Sequence, residues 1–198
     1  MGANGVELDV RLSADGMLVV HHDPDLADGR DIASTPARSL PPHVPFLEPV
    51  LDVCGEMIIN IEIKNSRHDP GHDPSMRSAE LVTDLVRARG IGDRVIVSSF
   101  SLSTIDRVAE LSPGLATAFL TERGVDAIDL AVDHGHRIVH PYVDAVDLAY
   151  MEAARAADVE VNVWTVDDPD RIRELTALGV DGICTNVPDV ALVAVREV

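Results

Sequence analysis

Short runs of apolar and β-branched residues recur along the chain at nearly even distances, which limits the folds open to it. From Val95 onward a run begins roughly every 21–23 residues, and segments with helical spacing lie between the runs. Strands that alternate with helices of this size predict parallel βαβ units. The predicted strands cover residues 6–10, 17–21, 57–63, 94–98, 116–120, 137–140, 160–166 and 182–185. The clearest predicted helices cover residues 79–89, 102–111, 144–157 and 169–178.

Two architectures built from βαβ units compete. A doubly wound sheet would need a glycine-rich turn after its first strand, and the chain has neither Gly-x-Gly-x-x-Gly nor a Walker sequence. A barrel instead brings polar residues at many strand ends into one mouth. The chain carries such residues at or near the ends of most of its predicted strands, from Glu7 to Asp167. We therefore predict an α/β fold, a (β/α)8 TIM barrel, in one domain over residues 1–198.

Turn and loop signals complete this organisation. Asp15-Gly16, between two apolar runs, predicts a tight β-hairpin. Residues 23–45 are rich in Pro, Asp, Ala and Ser and predict a compact insertion loop, and residues 65–75 predict a second loop. Both loops follow strands, so we expect them on the face where α/β proteins keep their sites.

Composition excludes several classes of function. The formal charge of −18 disfavours nucleic-acid binding and docking to an anionic membrane through a polybasic patch. No apolar run approaches the length of about 18 residues that a transmembrane helix needs. The first residues lack the basic and apolar regions of a signal peptide, which predicts a cytoplasmic protein. Cys54 and Cys184 stand far apart, so we expect two reduced thiols.

Glu7 and Asp9 lie two residues apart in a predicted strand and therefore point to the same face. Two like charges side by side in a partly buried place need a cation. Oxygen ligands of this kind suit Mg2+ or Ca2+. The alternative from spacing alone is an ion-pair cluster with Arg11 or Lys64.

Glu62 and Lys64 repeat this arrangement at the carboxyl end of another predicted strand. Glu62 is the third carboxylate that a metal site would need, and Lys64 is a candidate contact for an anionic substrate oxygen. A salt bridge between the two residues is the competing interpretation. Two such pairs on separate strands favour a functional site more strongly than one pair alone.

Histidines and the single tryptophan are the remaining candidates. His21 and His22 end the hairpin strand, and since neighbouring side chains point oppositely, only one faces the mouth. A histidine there can give or take a proton, although a strand-end histidine is often structural. Trp164 follows a strand and is either a core residue or a rim aromatic against a small polyol. The histidines at residues 68–72 and 134–136 are interpreted as loop and turn residues.

Several motifs together resemble one enzyme family. Residues 5–10 read Gly-Val-Glu-Leu-Asp-Val, residues 15–16 Asp-Gly, and residues 19–24 Val-Val-His-His-Asp-Pro. Residues 60–64 read Asn-Ile-Glu-Ile-Lys, residues 97–100 Val-Ser-Ser-Phe, and residues 163–167 Val-Trp-Thr-Val-Asp. Residues 179–186 read Gly-Val-Asp-Gly-Ile-Cys-Thr-Asn. In this order and over nearly the whole chain, they resemble the glycerophosphodiester phosphodiesterases.

The resemblance implies a (β/α)8 barrel that hydrolyses glycerophosphodiesters to sn-glycerol 3-phosphate and an alcohol with a divalent metal, Mg2+ or Ca2+. It also implies a role for each of several residues in the motifs. Carried over by position, the resemblance implies that Glu7, Asp9 and Glu62 are the metal ligands. It implies that His22 is the catalytic acid/base, that Lys64 contacts the phosphate, and that Trp164 forms a wall of the glycerol pocket.

One departure from the family qualifies these expectations. The family begins with a strand ending in His-Arg-Gly and a helix carrying Glu-Asn, before the Gly-Ala-x-Gly that is residues 2–5 here. The resemblance therefore predicts a barrel without its first βα unit and impaired hydrolysis. The alternative is an inactive barrel that binds metal and a phosphorylated ligand or a protein partner. Unpaired edges at residues 6–10 and 182–185 would favour self-association unless the strand at residues 17–21 fills the gap.

Overall fold

A computed structural model describes residues 2–198, which contain eight strands and seven α-helices. They divide into two compact units. The N-terminal unit is Gly5–Thr117, and the C-terminal unit is Ala118–Val198 together with residues 2–4. The single domain over residues 1–198 stays a prediction. No helix among the described residues is both long and apolar enough to cross a membrane.

The N-terminal unit is built on strands β1 (Gly5–Leu12), β2 (Leu18–Val20), β3 (Ile58–Ile63) and β4 (Val95–Ser99). Strands β1, β3 and β4 run parallel in that order, and β2 pairs antiparallel with the end of β1. The predicted hairpin is confirmed, since Gly16 adopts a φ of +76° at its turn. Strand β2 thus pairs with β1 from Val10 onward. Of the predicted unpaired edge at residues 6–10, only the last residue is therefore paired with β2.

Three helices accompany these strands: α1 (Leu47–Val53), α2 (Arg77–Arg89) and α3 (Leu102–Leu111). The Ser101 hydroxyl accepts a hydrogen bond from the amide of Thr104 and caps α3. Helix α1 was not predicted, because its short sequence contains a proline and shows little periodicity. Side chains from β3, β4 and α2 form the core, including Ile59, Ile61, Val82, Val86 and Val97.

The predicted loops are largely correct. Residues 23–45 contain only a 3₁₀ turn at Ala37–Ser39, and the amide of Ala37 donates to the Asp15 carboxylate at 2.8 Å. Residues 65–75 are also irregular. The buried amide of Asn65 fastens this second loop, since it exchanges hydrogen bonds of 3.0 and 2.7 Å with the backbone of Asp73.

The C-terminal unit continues the alternation of strands and helices. Its strands are β5 (Ala116–Thr121), which begins before the unit boundary, β6 (Ile138–Pro141), β7 (Glu160–Val163) and β8 (Gly182–Ile183). Neighbouring strands in this order are parallel. Its helices are α4 (Asp126–Asp133), α5 (Leu148–Ala157), α6 (Pro169–Leu178) and α7 (Pro188–Arg196).

Two element boundaries in this unit differ from prediction by three residues or more. Helix α5 begins at Leu148 rather than at residue 144, because Asp147 caps it by accepting from the amide of Tyr150, while Val143–Ala145 forms a 3₁₀ turn. Strand β7 ends at Val163, three residues early. Helix α6 has its predicted bounds. Asp168 caps it by accepting from the amide of Asp170, and a proline follows in the first turn.

Candidate active site

Three carboxylates converge on β1 and β3 of the N-terminal unit. One oxygen from each of Glu7, Asp9 and Glu62 lies within 4.8 Å of the others. The register of the parallel pair explains the convergence, because Asp9 lies opposite Glu62 and side chains two residues apart share a face. Among residues 2–198 this is the one group of three potential metal-ligating side chains.

Lys64 lies against this carboxylate cluster and is the only lysine in the sequence. Its Nζ is 2.9 Å from Asp9 Oδ1 and 2.6 Å from Glu62 Oε1, and its side chain is only 10% exposed. The salt bridge considered from the sequence is therefore present. Arg11, the other cation considered for this cluster, donates its hydrogen bonds to the backbone of His22 instead.

Burial and mutual repulsion perturb the acidic groups. Burial, followed by repulsion from Asp9 and Glu62, raises the pKa of Glu7 to about 8, although Lys64 opposes the shift. Burial likewise raises the pKa of Glu62 above its usual value, against the attraction of Lys64. Burial lowers the pKa of Lys64, but the carboxylates of Glu62 and Asp9 outweigh it and raise the pKa overall.

The cluster fits a divalent cation on three grounds. With Glu7 deprotonated, as a metal ligand must be, the three carboxylates and one ammonium sum to a charge of −2, which a divalent ion would balance. Oxygen donors from carboxylates are those that Mg2+ and Ca2+ prefer. Glu7 Oε1 is buried and has no hydrogen-bond partner within residues 2–198, although buried polar atoms are normally satisfied.

His22 follows β2 and belongs to the same unit. Its Nδ1 is 2.8 Å from Asp23 Oδ1, and its side chain is 74% exposed. Hydrogen bonding and charge attraction from His22 lower the pKa of Asp23, which keeps that carboxylate ionised. With Nδ1–H donating to Asp23, the neutral ring has Nε2 free to accept a proton.

Trp164 follows β7 in the C-terminal unit and is half-buried. Its Nε1 donates to the His140 carbonyl at 2.7 Å, and its ring meets Tyr142 edge to face at 5.3 Å between centroids. Burial lowers the pKa of His140 to about 4, so this histidine is neutral near pH 7. The amide of Asn162 donates to its Nε2 at 3.2 Å.

Other sequence candidates lie where expected. His72 accompanies the Asn65 loop, with its ring 3.2 Å from the Asn65 carbonyl, and Asp133 ends α4 ahead of a turn at Gly135. Asp23 and Ser98 were not predicted as site residues. Ser98 lies opposite Glu62, and its buried hydroxyl has no partner in the described chain. Its place at the end of the predicted strand at residues 94–98 is the sequence signal that would have identified it.

Comparisons with known proteins agree with these motifs. The model of the glycerophosphoryl diester phosphodiesterase family matches residues 1–41 and 29–190. A glycerophosphodiester phosphodiesterase of Bacillus altitudinis is 30% identical over 221 residues, covering 99% of this chain and 87% of the relative. One from Caldanaerobacter subterraneus is 27% identical over 219 residues, covering 100% of this chain and 88% of the relative.

Solved structures extend the likeness to the fold. A glycerophosphodiester phosphodiesterase from Parabacteroides distasonis superposes with a TM-score of 0.85 at 24% identity, covering 98% of this chain and 84% of the other. An Oleispira antarctica phosphodiesterase in complex with the product sn-glycerol-3-phosphate has a TM-score of 0.88 at 21% identity. The match covers 98% of this chain and 86% of the other. The predicted α/β, TIM-barrel-like fold class is confirmed at this level. Because the family model matches most of its length, the chain belongs to the glycerophosphoryl diester phosphodiesterase family.

Proposed function

We propose that this chain hydrolyses glycerophosphodiesters to sn-glycerol 3-phosphate and an alcohol, with Mg2+ or Ca2+ held by Glu7, Asp9 and Glu62. The observation that carries the proposal is the three-carboxylate cluster, in which the buried Glu7 Oε1 has no partner among residues 2–198. Family membership supports the reaction, and the glycerol-3-phosphate complex of the Oleispira antarctica phosphodiesterase supports the product.

The roles of the charged groups follow from their chemistry. A bound divalent ion supplies positive charge that neutralises a non-bridging phosphate oxygen and stabilises charge in the transition state. Lys64 keeps its proton, and its Nζ adds a second positive charge beside the cluster for another phosphate oxygen.

His22 transfers the proton in this mechanism. Asp23 holds Nδ1, so Nε2 is the atom that takes a proton from the nucleophile or gives one to the leaving alkoxide. Trp164 forms an apolar wall for the glycerol moiety, with its indole held by the His140 carbonyl and by Tyr142.

We expect residues 1–198 alone to hydrolyse these substrates slowly. They contain no His-Arg-Gly sequence, whereas the family pattern has one on a strand before the Gly-Ala-x-Gly motif. The histidine of that motif would complete an acid/base pair, and each positioned acid or base contributes about 10²–10⁴-fold. The arginine would add a phosphate clamp.

Metal binding is tested by melting residues 1–198 with and without Mg2+ or Ca2+. A ligand that binds only the native state raises the melting temperature, and Glu7→Gln should abolish the rise. Asp93→Asn is the control, because it also neutralises one acidic side chain but at an exposed position outside the cluster. It should keep the full response to metal. An undiminished response in Glu7→Gln would overturn the metal assignment.

Activity is tested by following release of glycerol 3-phosphate in the presence of metal. We compare residues 1–198, the same chain preceded by a family-type strand–helix unit, and the extended His22→Ala variant. The extended chain should be faster by orders of magnitude, and His22→Ala should remove that gain. A chain that binds metal and glycerol 3-phosphate but shows no turnover in any form would support the binding-protein alternative.

A further inference from the structure

The side chain of His22 is weakly held for a group that must transfer a proton. It is 74% exposed, and its hydrogen bond within the described chain is with the neighbouring Asp23. Asp23 is itself exposed and adjacent in sequence, so it orients the ring without anchoring it to the strands. The position of the imidazole therefore depends on the backbone from which it projects.

Arg11 holds that backbone. Its Nε and Nη2 donate to the carbonyl oxygen of His22 at 3.0 and 2.8 Å. The arginine side chain is 8% exposed, so these charged hydrogen bonds form largely away from water. Two donors from one planar guanidinium define the direction of the carbonyl as well as its distance.

Arg11 is carried by the strand that carries two of the carboxylates. It lies two residues after Asp9 and four after Glu7 in β1, so all three share a face. The backbone ladder of the hairpin continues to the bond between the His21 amide and the Asp9 carbonyl, at 3.0 Å. Arg11 then secures the next residue, His22, after it has left β2.

A second element supports the guanidinium. Asp69 Oδ1 is 4.0 Å from Arg11 Nη2, and the other oxygen of Asp69 accepts from the amide and hydroxyl of Ser66 at 2.9 and 2.8 Å. The loop after β3 therefore restrains Arg11 in addition to the hairpin.

We propose that Arg11 is a positioning residue that sets the place of the His22 imidazole relative to Glu7 and Asp9 by holding the His22 carbonyl. This inference rests on the proposed role of His22 as the acid/base. A displacement of a reacting group by about 1 Å can reduce turnover about 10²-fold. We therefore expect Arg11→Met to lower kcat about 10- to 100-fold with little change in KM.

The test uses the full chain with Mg2+ and sn-glycero-3-phosphocholine as the diester. Arg11→Met removes the guanidinium but keeps much of the apolar stem, and Arg11→Lys restores one donor and should recover part of kcat. Arg94→Met is the matched control. Arg94 lies just before the start of β4 and also donates to a backbone carbonyl, that of Met57, at 3.0 Å. Arg94→Met should leave kcat unchanged.

A double-mutant comparison separates positioning from general destabilisation. Arg11→Met should lower kcat in the wild-type chain and have no further effect in His22→Ala, because the group that it positions is gone. Equal loss in both backgrounds would overturn the inference. An unchanged kcat in His22→Ala alone would instead overturn the proposed role of His22.

A measurement without turnover decides the question if residues 1–198 are too slow to assay. The imidazole resonances of His22, assigned by their loss in His22→Ala, should shift or broaden in Arg11→Met and remain unchanged in Arg94→Met. Unchanged His22 resonances in Arg11→Met, in a chain that still melts cooperatively, would contradict the proposal.

Discussion

The two units differ in the charge of the polar side chains that their strands bury. The N-terminal unit gathers Glu7, Asp9 and Glu62 around Lys64, and one carboxylate oxygen of Glu7 has no partner in the described chain. In the C-terminal unit, β6 carries the buried His140. It is held neutral by burial, and Asn162 donates to its ring.

This difference separates a binding cluster from a structural pair. Buried charges destabilise a fold unless partners or a bound ion compensate them, whereas a neutral hydrogen-bonded pair is satisfied as it stands. The C-terminal pair is also fitted closely, because a Cβ on Gly182 would collide with Asn162 Oδ1. We expect metal ions and pH to affect the two units differently.

The largest expected effect is on the N-terminal charges. Lys64→Met leaves Asp9 and Glu62 buried without their cation, which we expect to lower the free energy of unfolding by about 3–5 kcal/mol in EDTA. Urea unfolding measures the loss. Arg173→Met in the C-terminal unit is the control and should lose less, because both of its carboxylate partners are exposed and stay hydrated. An equal loss of unfolding free energy in both variants would mean that the ion pairs of Lys64 contribute no more than those at the surface.

A second prediction concerns Glu7 and pH. Because burial and neighbouring carboxylates raise the pKa of Glu7 to about 8 in the fold, the native state binds more protons than the unfolded chain above pH 4.5. The free energy of unfolding should therefore decrease from about pH 4.5 to pH 8, by about 3 kcal/mol at pH 7 from this group. Urea unfolding of the metal-free chain across this range should show that decrease, and Glu7→Gln should remove it. Identical pH dependence in both chains would contradict the assignment.

The third prediction disturbs the neutral pair. Gly182→Ala forces the Asn162 side chain away from its place beside His140, and we expect a loss of about 1–3 kcal/mol in the free energy of unfolding. Gly92→Ala in the N-terminal unit is the control, because a Cβ there meets its nearest atoms at 3.9 Å. The rise in melting temperature on adding metal should survive in Gly182→Ala; its loss would show that the pair contributes to the metal site.

The smallest effect has the opposite pH dependence to that of Glu7. Burial lowers the pKa of His140 to about 4, so the unfolded chain binds the extra proton between pH 6.5 and pH 4. Stability should fall as the pH falls through this range, by about 1–2 kcal/mol at pH 5 from this group. His140→Gln cannot titrate and should flatten this decrease in urea unfolding curves. An unaltered decrease would assign the effect to other groups.

Much of the candidate site was predictable because strand geometry is local. Period-two spacing in β1 and β3 was enough to place Glu7 with Asp9 and Glu62 with Lys64 on shared faces. Helices with strong periodicity and caps, such as α3, were also correct. Helix α1 and the start of α5 were not, because a short helix and a nearby turn compete with few local signals.

The sequence by itself determined the order of the strands, the most regular helices, the hairpin and the family, since these depend on local spacing and on motifs in sequence. Tertiary structure decided how the charges are shared. Only the register between β1 and β3 brings Lys64 to two carboxylates and leaves Glu7 Oε1 without a partner in the described chain. Only folding brings Arg11 to the carbonyl of His22, eleven residues away. Burial and long-range contacts determine these interactions, and neither can be predicted from the spacing of residues along the chain.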